Sequence, residues 1–232
     1  MVFPFQWVDY RGGALLERKE SSEQAQQLIR ELKEADGIIL FCDADPKVRT
    51  RIRSQIARMT ALVTWALKSS EIPTTIAAVF TKTDLVEEID DELVGYVSGL
   101  FDAIYSSKMH VGTVLPIACG KEMVNPEAPV LFALHFGIVF QAILLSLQIE
   151  EWKQIEQHYE AKGETMSGIV GNLFKSMVGA TTTYDYARVA RRLAEEKKRE
   201  IDKLEKPANL LEAYLEDVPI VYGELLRSIL SG

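Results

Sequence analysis

The chain has 232 residues, 47% hydrophobic and 26% charged, a balance that supports a full core with an appendage and excludes a disordered chain. Its 34 acidic residues outnumber 26 basic ones for a formal net charge of -8, which argues against a dedicated nucleic-acid binder, because neutralising phosphates takes a surplus of Lys and Arg on one face. Cys42 and Cys119 are its only cysteines, and neither has a cysteine or histidine at metal-ligand spacing, so no disulfide framework or zinc site is indicated and a reducing cytoplasm is the expected location.

The first apolar and aromatic run, Val2 to Tyr10, is closed by Arg11-Gly12-Gly13 and reads as a buried strand ending in a turn, not as a secretory leader. Ser21 and Gln24 have capping-box spacing, and Ala25, Leu28, Ile29 and Leu32 then recur on one helical face. Gly37 to Cys42 is a continuous apolar run, as expected for a strand covered on both faces of a parallel sheet. Asp45-Pro46 opens the next helix, in which Val48, Ile52, Ile56, Met59 and Val63 keep the helical period; it should stop before Pro73.

Thr75 to Phe80 is the third strand, and the helix after Thr81-Lys82-Thr83-Asp84 turns Leu93, Val97, Leu100, Phe101 and Ile104 inward. Thr113 to Ala118 is the fourth strand, followed by a loop and a helical pattern from about Val130 to Tyr159. Strand and helix alternate throughout this half, which predicts an α/β fold built on a doubly wound parallel sheet, with ligands at the carboxyl ends of the strands. Beyond about residue 150 the strands cease, and helical stretches are expected near Thr165 to Val178, Asp185 to Glu205 and Leu210 to Leu230, with Lys206-Pro207 separating the last two. The division is therefore 1–149 for the α/β domain and 150–232 for a helical extension whose mixed charges suit a solvated face or a protein partner.

Three short signals follow the first, third and fourth candidate strands. Asp9-Tyr10-Arg11-Gly12 fits D-x-x-G: a carboxylate that can hold Mg2+ through a water, and a glycine that lets a backbone N–H approach a terminal phosphate. An ordinary turn gives the same tetrapeptide. Thr81-Lys82-Thr83-Asp84 fits N/T-K-x-D, in which the aspartate accepts two hydrogen bonds from guanine N1–H and N2–H while the lysine stem packs over the base. Ile117-Ala118-Cys119-Gly120 places small residues where a backbone N–H can reach guanine O6.

In that order and spacing, the chain resembles the translation-factor-like and Ras-like class of P-loop GTPases over roughly residues 3–149. Trp7 to Gly13 and Asn125-Pro126 look most like bacterial double-GTPase domains of that class. The resemblance implies a guanine-nucleotide switch with GTP and Mg2+ as ligands. Asp9 would serve the metal, and Gly12, Thr81, Lys82, Asp84, Ala118 and Cys119 the nucleotide.

The sequence also departs from that class. No G-x-x-x-x-G-K-S/T occurs, so nothing is expected to wrap the α- and β-phosphates, triphosphate affinity should be very low, and hydrolysis by this chain is doubtful. Gly13 stands where Ras-like members place a water-orienting glutamine, and Arg11 reads as a surface arginine before an internal charge stabiliser. The resulting expectation is a partial G domain lacking its phosphate-loop strand, with an α-helical C-terminal extension, arising from an N-terminally truncated reading frame. A catalytically inactive pseudo-GTPase that binds a protein partner is the first alternative. A membrane-associated dynamin-like protein is the second, because Val130 to Ile149 is long and apolar enough to span a bilayer, although a helix packed on the sheet explains the same run. The Gly-rich stretch Met166 to Ala180 reads equally as an amphipathic lip or a linker.

Overall fold

The computed structural model describes residues 6, 8, 23–68, 70, 72–121, 123–162, 183–224 and 226. Helix α1 spans Glu23–Glu34, strand β1 Gly37–Asp43, α2 Arg49–Lys68, β2 Thr74–Thr81 and a 3-10 turn Thr83–Leu85. Helices α3 (Asp91–Gly95) and α4 (Ser98–Tyr105), strand β3 (His110–Pro116) and the small hairpin β4 (Ala118–Cys119) and β5 (Met123–Val124) follow. Then come α5 (Ala128–Lys162), α6 (Thr183–Glu212) and β6 (Ile220–Tyr222). Apart from Gln6 and Val8, the predicted strand Val2 to Tyr10 lies outside the described residues, as do the stretches Thr165 to Val178 and Met166 to Ala180.

The fold is α/β, and its principal sheet is mixed where a parallel one was expected. The order is β1-β2-β3-β6, with β1, β2 and β3 parallel and β6 antiparallel to β3. The departure comes from Ile220–Tyr222, which falls inside the tract expected to be helical. Three β-favouring residues there pair with Val111, Gly112 and Thr113, and Thr113 Oγ1 donates to the carbonyl of Pro219 at 2.7 Å. Cross-strand pairing thus outweighs the helical period of the flanking residues. Among the described residues, β1 has a neighbouring strand on one side only.

One face of the sheet carries two clusters of the core. Ile38, Leu40 and Ile76 pack with Val63 and Leu67 of α2 and with Leu100 and Ile104 of α4. Nearer the carboxyl ends, Cys42, Ala78 and Phe80 pack with Ile52 and Ile56 of α2, with Leu93 of α3 and with Val97. The expected helical faces are therefore the buried ones, and each large aliphatic side chain so buried stabilises by about 1.5–3 kcal/mol. The single helix expected over Leu93 to Ile104 is two, since α3 stops at Gly95 and α4 begins at Ser98. Asp90 caps the first of them by accepting from the Leu93 amide at 2.9 Å.

On the opposite face the first turns of α5 meet the sheet. A Cβ on Gly37 would sit 3.6 Å from Ala133 Cβ, and the Phe136 and Tyr222 rings are 6.0 Å apart. Strand β1 is nevertheless not covered on both faces as predicted, because Phe41 is 50% exposed while its neighbours Leu40 and Cys42 are buried.

The chain divides into two compact units, one comprising Met1–Gly137 with Tyr214–Gly232 and the other Ile138–Ala213. The second is an antiparallel helical pair in which Ile138, Ala142 and Leu145 of α5 pack against Ile201, Leu204, Ala208 and Leu211 of α6. Arg191 and Glu156 form an ion pair at 2.5 Å toward its other end. Pro207 does not break α6 as expected but lies within it. A helix-interior proline costs ~3 kcal/mol, and the packing of Ala208 and Leu211 beyond it offsets that cost. The Ala128–His158 portion of α5 is long and apolar enough to cross a membrane, with 33% of its most apolar window buried.

Candidate functional site

Parallel pairing in register brings three strand ends to one level. Asp43 stands opposite Thr81, and Phe80 opposite Pro116, so the loops after β1, β2 and β3 leave the sheet together at its carboxyl end. They are then tied to one another. The Ala44 amide donates to the Thr81 carbonyl at 3.0 Å and the Ile117 amide to the Phe80 carbonyl at 2.8 Å. The Ile117 carbonyl accepts from the Thr83 amide at 3.2 Å and from Thr83 Oγ1 at 3.1 Å.

This stitching sets the two sequence signals face to face. Thr81, Lys82, Asp84 and Leu85 on one side, and Ile117, Cys119 and Gly120 on the other, line a cavity of about 400 Å³. The volume lies within the range of small-ligand sites. Asp84 lies so close to Gly120 that a Cβ on the glycine would fall on Asp84 Oδ2. Among the described residues the Asp84 carboxylate has no hydrogen-bond or ion-pair partner.

Lys82 adopts a left-handed conformation, with φ 58° and ψ 37°. Such a backbone costs roughly 1–3 kcal/mol in a residue with a Cβ. From it the side chain reaches back to Asp43, and Lys82 Nζ lies 2.5 Å from Asp43 Oδ2, with the two side chains 50% and 27% exposed. The ammonium is thereby held over the end of β1 while Lys82 contributes to the cavity wall.

Thr81, Lys82, Asp84 and Cys119 thus line one cavity, as a shared site requires. Ala118 does not line it: its side chain is buried, and it pairs with Val124 in the small hairpin. Gly120, the last residue of the same Ile117 to Gly120 signal, does line it. The predicted strand Thr113 to Ala118 is in fact two, His110–Pro116 and Ala118–Cys119, separated at Ile117. Asp43 was also missed, and no local motif marks it; only the register opposite Thr81 reveals it. Asp9 and Gly12, expected to serve Mg2+ and phosphate, lie outside the described residues. Among the described residues no group of three or more His, Cys, Asp or Glu side chains is arranged to hold a metal ion.

No protein-family model, curated protein or solved structure matches the chain.

Proposed function

We propose that the cavity at the carboxyl ends of β2 and β3 recognises a guanine base, and that the chain is the base-binding part of a guanine-nucleotide-binding protein of the P-loop GTPase class. The observation that carries this reading is the placement of the Asp84 carboxylate against Gly120 at the cavity lined by Lys82. An ionised carboxylate only accepts hydrogen bonds, and it has two oxygens to do so. Guanine presents two adjacent donors, N1–H and N2–H, beside the acceptor O6, which suits a carboxylate next to a backbone N–H. Adenine presents a bare N1 on the same edge and would oppose its lone pair to the carboxylate. The stem of Lys82 and the side chains of Leu85 and Ile117 supply apolar surface for a flat base.

The sequence has no G-x-x-x-x-G-K-S/T to wrap the α- and β-phosphates, so base contacts dominate the affinity in this reading. A dissociation constant of about 1 mM, equivalent to about 4 kcal/mol, is the expected scale for GMP. Calorimetric titration with GMP, GDP, GTP and AMP tests the proposal. The expected result is similar weak binding of the three guanine nucleotides and tenfold or greater discrimination against AMP. Equal binding of AMP, or no binding of any guanine nucleotide, would overturn it in favour of an interaction module that does not read nucleotides.

A further inference from the structure

The ion pair between Lys82 and Asp43 joins two strand ends that share no sequence motif. Asp43 is itself fixed: its Oδ1 accepts the Asp45 amide at 2.9 Å, while its Oδ2 receives Lys82 Nζ. The two oxygens have separate tasks, one closing the turn after β1 and the other holding the lysine head. Lys82 meanwhile occupies a left-handed backbone position, uncommon for a residue with a Cβ. An ammonium moored at Asp43 has few rotamers left, so its methylene stem stays along the cavity that Lys82 helps to line.

We infer that Asp43 is a positioning residue for base recognition: it fixes the Lys82 stem as one wall of the cavity without touching the base. This rests on the guanine-site reading above and adds to it a residue outside the two loop motifs. The chemistry separates the two tasks of Asp43. Asn at this position keeps an acceptor oxygen for the Asp45 amide but removes the negative charge that holds Lys82, so the turn survives while the mooring is lost.

A double-mutant cycle with Asp43→Asn and Lys82→Ala, read by GMP affinity, tests this. Asp43→Asn should weaken GMP binding about three- to fivefold, in keeping with a half-exposed ion pair, and should cause no further loss once Lys82 is Ala. Reaction of the native protein with an amine-acetylating reagent gives a readout that needs no ligand: Lys82 should be modified at least about twofold faster in Asp43→Asn, with other lysines unchanged. GMP binding by the unaltered chain that is insensitive to Asp43→Asn, or a loss that persists undiminished in the Lys82→Ala background, would overturn the role of Asp43 and leave the base site standing. Failure of the unaltered chain to bind GMP would overturn the base site and this role together.

Discussion

Asp84 and Gly120 belong to loops from different strands, yet a Cβ built on Gly120 would overlap Asp84 Oδ2 and lie 3.2 Å from its Cγ. The glycine is therefore what lets the carboxylate stand beside the backbone of the opposing loop. In Gly120→Val the branched side chain has to displace the carboxylate. Both residues are exposed, so the cost should fall on binding: unfolding free energy by urea should change by no more than about 0.5 kcal/mol. GMP affinity should fall at least about tenfold, one charge-assisted hydrogen bond or more. A Gly120→Val protein that binds GMP normally would show that this contact is incidental.

Replacing Asp84 by Asn leaves one acceptor oxygen and turns the other position into a donor. One of the two guanine donors then loses its partner, which should cost about 1.5–3 kcal/mol, or roughly 10- to 100-fold in GMP affinity. Xanthine, which carries a carbonyl in place of the 2-amino group, presents an acceptor to that new donor. Competition between guanosine and xanthosine monophosphates should therefore reverse in Asp84→Asn. Unchanged preference would remove Asp84 from the recognition scheme.

The cysteines differ in environment. Cys42 is buried among Ile52, Ile56 and Phe80, and burial pushes its thiol up to about 12, whereas Cys119 is exposed at the cavity. In the native protein a disulfide reagent such as DTNB should titrate a single thiol within minutes, with Cys42 reacting only on unfolding. Saturating GMP should slow the reaction of Cys119. Equal rapid reaction of both thiols would contradict the packing of β1.

At the far end of the sheet, His110 is buried, and its Nε2 lies 3.3 Å from the Leu67 carbonyl. A carbonyl can only accept, so Nε2 carries the proton. Nδ1 is then a bare acceptor with no partner among the described residues. Burial lowers the pKa of His110 from its ordinary 6.5, with the Leu67 hydrogen bond opposing in part. Below pH 6.5 the unfolded chain takes up a proton that the folded chain does not, so the stability contribution is complete above that value. It is lost as pH falls from there toward the depressed folded value, at up to about 1.4 kcal/mol per pH unit. Urea unfolding between pH 7.5 and 5.5, at roughly half-unit steps, should show a shallower fall for His110→Gln than for the unaltered protein. Parallel curves would mean that His110 titrates alike in both states.

Much of this architecture is legible in the sequence because its signals are local. The runs at Gly37 and Thr75 become β1 and β2 to within a residue at each end, and the period of Ile52, Ile56 and Val63 marks the buried face of α2. What escapes is non-local. Ile220–Tyr222 becomes a strand only by meeting β3, more than a hundred residues earlier in the chain, and Pro207 is tolerated only because residues beyond it pack in the helical pair. The candidate site divides in the same way. Thr81, Lys82 and Asp84 can be read from one tetrapeptide. Gly120 belongs to a second tetrapeptide, but its contact with Asp84 appears only in the fold, and Asp43 is found only through its register opposite Thr81.

The most direct measurement of the central claim is a backbone amide NMR titration with guanosine and, separately, adenosine. Guanosine should shift the amides of Asp84, Leu85 and Gly120, which border the cavity, and leave Gly112 and Ser107 at the other end of β3 unmoved, while adenosine shifts none of them. Identical shifts with the two nucleosides, or guanosine shifts confined to residues away from this cavity, would contradict recognition of guanine by Asp84.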